Sequence, residues 1–297
     1  MRSFSVAAKE LLEDVEREIG WMYETLHADG KTKGRIEYAV WSEVFTCPDC
    51  AGEVVFLDEA LDKESKRVKE SFPCPHCGAE VSKRSLQKNY TTKFDKNTSE
   101  TCQVPMRTPS LICYKIGKNR FEKKPDKADL DILRKIEQME LPEELPKIAL
   151  PYMHMTHERA RMDKSGVTHI HHFFLPRAAH ALGMLWQNAK AHPDFRIRNM
   201  LLFLLDQSIW GFSIQNRYRL RAFSHVNQCM TGIYYVPSQT TEVSPRFNLA
   251  GKINRLPRAF DNQYSKNLGV ITGTGSTTQL QVTDQSIDYI FTDPPFG

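Results

Sequence analysis

Near the start of the chain the apolar residues recur every three or four positions: Ala8, Leu11, Leu12, Val15, Ile19 and Met22. That spacing places them on one helical face and predicts a helix over residues 6–27, with Ser5 as its cap. A polar turn, His27-Ala28-Asp29-Gly30-Lys31, interrupts the pattern, and the apolar stretch from Ile36 to Phe45 then reads as a strand. Residues 85–120 show no sustained period and predict irregular chain with short strands around Ser110–Lys115. Pro125-Asp126 ahead of Leu130, Leu133 and Ile136 predicts a helix start, with Asp126 capping and Asp129 in the first turn. The segment LPEELPKIALP (141–151) reads as a linker. Two core helices are predicted beyond it. One opens at Pro176 and carries Ala179, Leu182, Leu185 and Trp186; the other begins near Asp194 and holds the apolar run to Leu205. GIYYVP (232–237) predicts a strand, residues 238–265 an Arg-rich loop, and Val270–Thr272 and Ile287–Thr292 two further strands.

Composition narrows the class without choosing a function. With 297 residues, 40% of them hydrophobic and 26% charged, the chain can bury a real core and is neither collagen-like nor wholly disordered. The longest apolar run, Met200 to Leu205, is far short of the roughly 20 residues a membrane span needs. The N-terminus turns acidic where a signal peptide would be apolar, so a cytoplasmic protein with no membrane partner is expected. The net charge of +4 is unevenly placed: residues 81–124 hold eleven Lys/Arg against three Asp/Glu, and residues 196–258 hold nine against two. Two basic stretches on a nearly neutral protein suit a polyanion, with Lys83, Arg84, Lys88, Arg217, Arg219 and Arg221 as candidate phosphate contacts. Charge alone is equally compatible with a solvated surface.

Four of the seven cysteines form two matched pairs, CPDC at 47–50 and CPHC at 74–77, separated by 23 residues. A tetrahedral zinc site wants four thiolates, and each CxxC turn presents two with backbone amides free to bond the sulfurs. The expectation is a structural zinc ion on Cys47, Cys50, Cys74 and Cys77, in a ribbon whose hairpin runs over Glu53–Leu57 and Val68–Phe72. Four protein ligands leave no position for a substrate. Cys102, Cys113 and Cys229 have no partner spacing and read as isolated thiols. The run His169-Ile170-His171-His172 would put His169 and His171 on one face of a strand and His172 on the other. No carboxylate lies at ligand spacing nearby, so hydrogen-bonded structural histidines or phosphate contacts are expected rather than a metal.

At the C-terminal end, the apolar Ile287-Asp288-Tyr289-Ile290-Phe291 runs into Thr292-Asp293-Pro294-Pro295-Phe296-Gly297. This presents one carboxylate, a stiff turn whose carbonyls are fixed by proline, and an aromatic face. Asp293 and the Pro294 carbonyl can accept the two N–H hydrogens of an exocyclic amine, while Phe296 stacks on a base that has left the duplex.

TDPPFG resembles the catalytic motif of the amino-methyltransferases that use S-adenosylmethionine on DNA. The ribbon, GWMYETLH (20–27) and VWSEVFTCPDC (40–50) are similar to adenine-specific DNA methylases that contain a zinc ribbon. The resemblance implies Asp293, Pro294, Pro295 and Phe296 as catalytic residues, DNA as partner, and S-adenosylmethionine and structural zinc as cofactors. It also implies adenine over cytosine, since Asp stands first. The fold expected is mixed α/β: a helical body with a zinc-ribbon β-hairpin insertion and part of a Rossmann-like methyltransferase sheet. The divisions are 1–45 (helix and lead-in strand), 46–84 (ribbon), 85–150 (basic irregular region with one helix), 151–265 (helical insertion) and 266–297 (start of the catalytic core).

The cofactor-binding residues stay unknown. The one Gly-rich candidate, Thr272-Gly273-Thr274-Gly275-Ser276, lies too close to Asp293 to leave room for the intervening strand–helix units. The chain therefore reads as an internal piece of a larger methyltransferase, with a second polypeptide completing the domain. Two alternatives remain open: an RNA guanine amino-methyltransferase, and a non-catalytic zinc-ribbon nucleic-acid-binding protein.

Overall fold

The computed structural model describes residues 2–62, 64, 67–159, 161–219, 235–264, 273–276, 278–280 and 282–293. The 14-residue strand Lys33–Thr46 is the spine of a mixed α/β architecture. Over residues 38–42 it lies between two antiparallel neighbours, Arg107–Ile116 on one side and Gln239–Val243 on the other. Its first residues pair with Glu24–Leu26 and its last three with Glu53–Val55, while Gln87–Lys88 also joins its end. Asn119–Lys123 extends the sheet beyond Arg107–Ile116, giving seven strands among the described residues. Every pairing is antiparallel. Residues 38 to 45 of the spine are all buried, as a strand covered on both faces requires.

Helices cover the sheet. The first, Arg2–Ile19, turns Phe4, Ala7, Ala8, Leu11, Leu12, Val15 and Ile19 inward. It begins before Ser5, so that residue is not its cap, and it ends earlier than the period predicts. Gly20–Tyr23 continues as a 3-10 turn that hands the chain to Glu24–Leu26. A side chain at Gly20 would collide with the Arg35 guanidinium, 2.7 Å from the Cβ position. Pro176–Lys190, Phe195–Asp206 and Pro245–Tyr264 pack on this first helix and build one continuous core with it. The expected cap at Asp126 is present as a capping box: its side chain accepts from the Asp129 N–H, and Asp129 returns the bond to the Asp126 N–H. Asp194 likewise accepts from the Ile197 N–H and opens Phe195–Asp206.

Several expectations are corrected. Residues 85–120 are mostly strand: Tyr90–Asp95 and Glu100–Pro105 form a hairpin, and Arg107–Ile116 follows at once. The hairpin strands are almost entirely exposed or half-buried, so they carry no apolar period for the sequence to show. The described part of the expected loop 238–265 is instead a fully buried strand, Gln239–Val243, and a 20-residue helix, Pro245–Tyr264. In place of the ribbon hairpin, Glu53–Val55 pairs with the spine and Phe56–Ala60 is a short helix. Arg67–Val68 returns to Leu61–Asp62, and Phe72–Pro73 pairs with Glu80–Val81. Residues 232–234 and 270–272 lie outside the described residues, while 235–237 form no strand. Ile287–Thr292 forms no strand either, and Ile287, Tyr289, Ile290 and Phe291 are exposed. No part of a Rossmann-like sheet is present among the described residues of 266–297. No helix among the described residues is long and apolar enough to cross a membrane.

An ion pair sits where helices meet sheet. Arg177, in the first turn of Pro176–Lys190, donates to Glu242 of the strand Gln239–Val243, and both side chains are almost fully buried. Trp41 Nε1 donates to the same Glu242 carboxylate at 2.8 Å, and Arg177 also reaches the Met22 carbonyl at 3.0 Å. Its guanidinium lies 4.9 Å from the Tyr23 ring centroid. Burial first, then the Glu242 charge, pushes the Tyr23 phenol far up, so it stays neutral.

Candidate metal centre and nucleic-acid interface

The two cysteine turns are built alike. Ala51 N–H donates to the Cys47 carbonyl and Gly78 N–H to the Cys74 carbonyl, at 3.0 and 2.9 Å. Cys47 N–H bonds the Gly52 carbonyl, and Cys74 N–H the Ala79 carbonyl, closing each knuckle. Ala51 and Gly78 occupy the same place in the two turns and share a positive φ, 56° and 74°. His76 locks one turn onto the other: its Nε2 lies 2.8 Å from the Glu53 carbonyl, and its ring fills the space where a side chain at Gly52 would stand.

All four sulfurs converge within 4.8 Å of one another. Cys47 Sγ is 3.9 Å from Cys77 Sγ, and Cys50 Sγ is 3.8 Å from Cys74 Sγ. A disulfide would need about 2.05 Å. Four thiolates at about 2.3 Å around a tetrahedral ion stand about 3.8 Å apart, so the cluster could hold a metal such as zinc. N–H groups of His76 and then Cys77 bond the Cys74 sulfur and draw its thiol down to about 6. Cys50, against the pull of the Gly52 N–H, is pushed up to about 12 by desolvation and the neighbouring sulfurs, and Cys77 is raised as well. Cys47 and Cys74 are buried in a small separate core with Phe45, Val54, Phe56, Phe72 and Val81, while Cys50 and Cys77 face outward.

Three of the six predicted basic residues, Lys83, Arg84 and Lys88, follow the second cysteine turn. Lys83 lies over the Phe56 ring, 5.4 Å from its centroid. Desolvation, and then the nearby charges of Lys88 and Arg217, lower its pKa against the pull of Glu43. Residues from both basic stretches of the sequence thus lie near one another in the fold. Glu43 is buried beneath them and accepts from Lys88 and Arg107, each at 3.3 Å. Arg84 and Arg217 are exposed, and Arg217 bridges to Thr240 at the sheet edge. Arg219 is half-buried, and Arg221 lies outside the described residues. Neither Glu43 nor Arg107 stands out in the sequence, because burial and not spacing selects them.

The C-terminal motif is described only to Asp293, which is exposed; Pro294, Pro295 and Phe296 lie outside the described residues. Gly273–Ser276 is exposed chain and starts no helix among the described residues. No site for S-adenosylmethionine is seen among the described residues.

The histidine run differs from the expected strand. Ile170–Phe173 is a 3-10 turn, and His171 and His172 point the same way. A carboxylate does meet them: Asp95 Oδ2, from the hairpin far upstream, lies 2.7 Å from His171 Nε2 and 3.1 Å from His172 Nε2. The expected hydrogen-bonded histidines are thus present, held by a partner that sequence spacing could not reveal. Cys113 is buried in the main core, Cys102 is half-buried, and Cys229 is outside the described residues.

No family model matches the chain, and neither a curated protein nor a solved structure does.

Proposed function

We propose that this chain is the DNA-gripping and adenine-holding part of a DNA adenine methyltransferase. The observation that carries this reading is Thr292-Asp293-Pro294-Pro295-Phe296-Gly297 directly after an apolar Ile-Asp-Tyr-Ile-Phe approach. Asp293 and the Pro294 carbonyl accept the two N–H hydrogens of adenine's exocyclic amine, which turns the nitrogen lone pair outward. Phe296 stacks on the extruded base and offsets part of the cost of unstacking it. S-adenosylmethionine would supply the methyl group, held by residues other than those described. The ribbon, with zinc on Cys47, Cys50, Cys74 and Cys77, fixes Lys83 and Arg84 on a rigid edge beside Arg217, where they contact phosphates.

The test replaces Asp293 with Ala in the gene at its own locus and maps adenine methylation across the genome. Loss of N6-methyladenine at one sequence motif is expected; an unchanged map overturns the reading. The juxtaposition of Lys83, Lys88 and Arg217 also favours a second reading, nucleic-acid binding without catalysis. Under that reading the Asp293→Ala map is unchanged while the purified protein still binds DNA. An RNA guanine acceptor would instead appear as lost guanine methylation in RNA.

A further inference from the structure

The Asp95–His171–His172 cluster combines groups that the ribbon and the C-terminal motif do not use. Asp95 ends the strand Tyr90–Asp95, and the turn behind it fixes its carboxylate: Oδ1 accepts from the Asn97 N–H at 2.9 Å and from Asn97 Nδ2 at 3.0 Å. That leaves Oδ2 aimed at the histidines, with Thr98 Oγ1 at 3.1 Å as its other neighbour. On the opposite side, the 3-10 turn stacks the two imidazoles edge to face, with ring centroids 4.3 Å apart. The His171 side chain is 3% exposed, His172 14% and Asp95 11%, so the donor atoms converge in a nearly closed space with its opening at His172. The hairpin and the histidine segment are braced against each other independently: Tyr90 Oη reaches the Lys164 carbonyl, and Gly166 packs against Val104 too closely for any side chain.

We propose that Asp95, His171 and His172 form a second metal site, a two-histidine, one-carboxylate centre for a divalent transition cation such as zinc. One ligand atom from each residue lies within 4.8 Å of the others. Nitrogen and oxygen ligands at about 2.0–2.1 Å around a tetrahedral ion stand about 3.3 Å apart. The two Asp95–histidine separations are 2.7 and 3.1 Å, so Asp95 Oδ2 must draw back from the rings by about 0.2–0.6 Å to admit the ion. On binding, each Nε2 turns its lone pair to the metal and the ring proton resides on Nδ1. For His172, Nδ1 accepts from the Thr168 N–H at 3.2 Å in the metal-free protein, so binding gives up that contact and turns the ring proton to Thr168 Oγ1, 3.3 Å away. His171 Nδ1 is buried and has no hydrogen-bond partner, so His171 binds the ion without the orienting bond that His172 gains. Imidazole and carboxylate select zinc-like ions over magnesium or calcium. Three protein ligands leave one position for water or a small anion, unlike the closed four-cysteine site.

Cobalt titration of the metal-stripped full chain tests this, with bound metal counted after dialysis. The wild type is expected to take two equivalents, one giving intense thiolate-to-cobalt charge transfer and the other only weak ligand-field absorption. Asp95→Asn should lose the weak-absorbing equivalent and keep the thiolate band. Cys74→Ser should lose the thiolate band and keep the other. A wild type that binds one equivalent, all of it thiolate-ligated, overturns the proposal, and this reading needs no variant to fold. Failure of the ribbon gives the opposite pattern, one equivalent without thiolate absorption, so the two sites fail distinguishably.

Discussion

Ala51 and Gly78 do the same job with different residues. Each turns the chain into the left-handed region so that its N–H can close a cysteine knuckle. A side chain there costs about 1–2 kcal/mol, which glycine avoids, although glycine also loses more freedom on folding. Space is not the issue at Gly78, since nothing lies within 4 Å of the Cβ position. Gly78→Ala is therefore expected to weaken zinc retention by about 1 kcal/mol, roughly fivefold in a chelator competition. Ala51→Gly should strengthen it by about 0.5 kcal/mol, the relieved strain being partly offset by the freer unfolded chain. If both substitutions leave the competition midpoint where it was, knuckle strain is not coupled to metal binding. The matched CPxC turns made this site legible from sequence, because the chemistry is local and both halves carry it. Asp95 was not legible as a histidine partner: the contact spans 76 residues and exists only once the hairpin has folded against the 3-10 turn.

The same contrast runs through the elements. Asp126, Pro176 and Asp194 announce their helices because capping is a local bond between neighbours in sequence. Gln239–Val243 does not announce itself. Gln-Thr-Thr-Glu-Val looks like a loop, yet all five residues are buried beside the spine strand, and Thr240 and Glu242 are admitted because they find partners. Thr240 Oγ1 donates to the Ile214 carbonyl, and Glu242 receives Arg177 and Trp41. The following helix hides behind Pro257, although Leu249, Ile253 and Leu256 keep helical spacing on its inner side. The Arg177–Glu242 pair is what lets this strand sit inside, and it ties Pro176–Lys190 to the sheet. Arg177→Met leaves a buried carboxylate unpaired and should cost about 3–5 kcal/mol in urea unfolding. Adding Glu242→Gln removes the stranded charge, so the double variant should be less destabilised than the sum of the two singles. Strict additivity would mean that the pair is not coupled in the folded protein.

Across the whole molecule, charge that looks scattered in sequence is gathered by the fold. The spine strand serves both the main sheet and the segment that carries the cysteine turns, since Phe45 and Thr46 pair with Glu53–Val54 on one side and Gln87–Lys88 on the other. It thereby brings residues 83–88 beside Arg217 and Thr240, more than 100 positions later. Glu43 lies beneath the cluster and neutralises part of it, engaging Lys88 and Arg107, so Lys83, Arg84 and Arg217 carry the charge that a phosphate backbone would meet. If these three side chains each neutralise one phosphate, every contact releases counterions and adds about 0.9 to the slope of log affinity against log salt. Duplex binding measured across a salt series should then lose about 2.7 of that slope when Lys83, Arg84 and Arg217 are all changed to Gln. The loss should be nearly the same for any duplex sequence, because phosphate contacts position a protein without reading bases. A Lys9→Gln, Arg17→Gln control on the exposed side of the first helix should leave the slope unchanged. An equal loss in that control would make the effect one of overall charge, and an unchanged slope in the triple variant would move the DNA-binding face away from the ribbon.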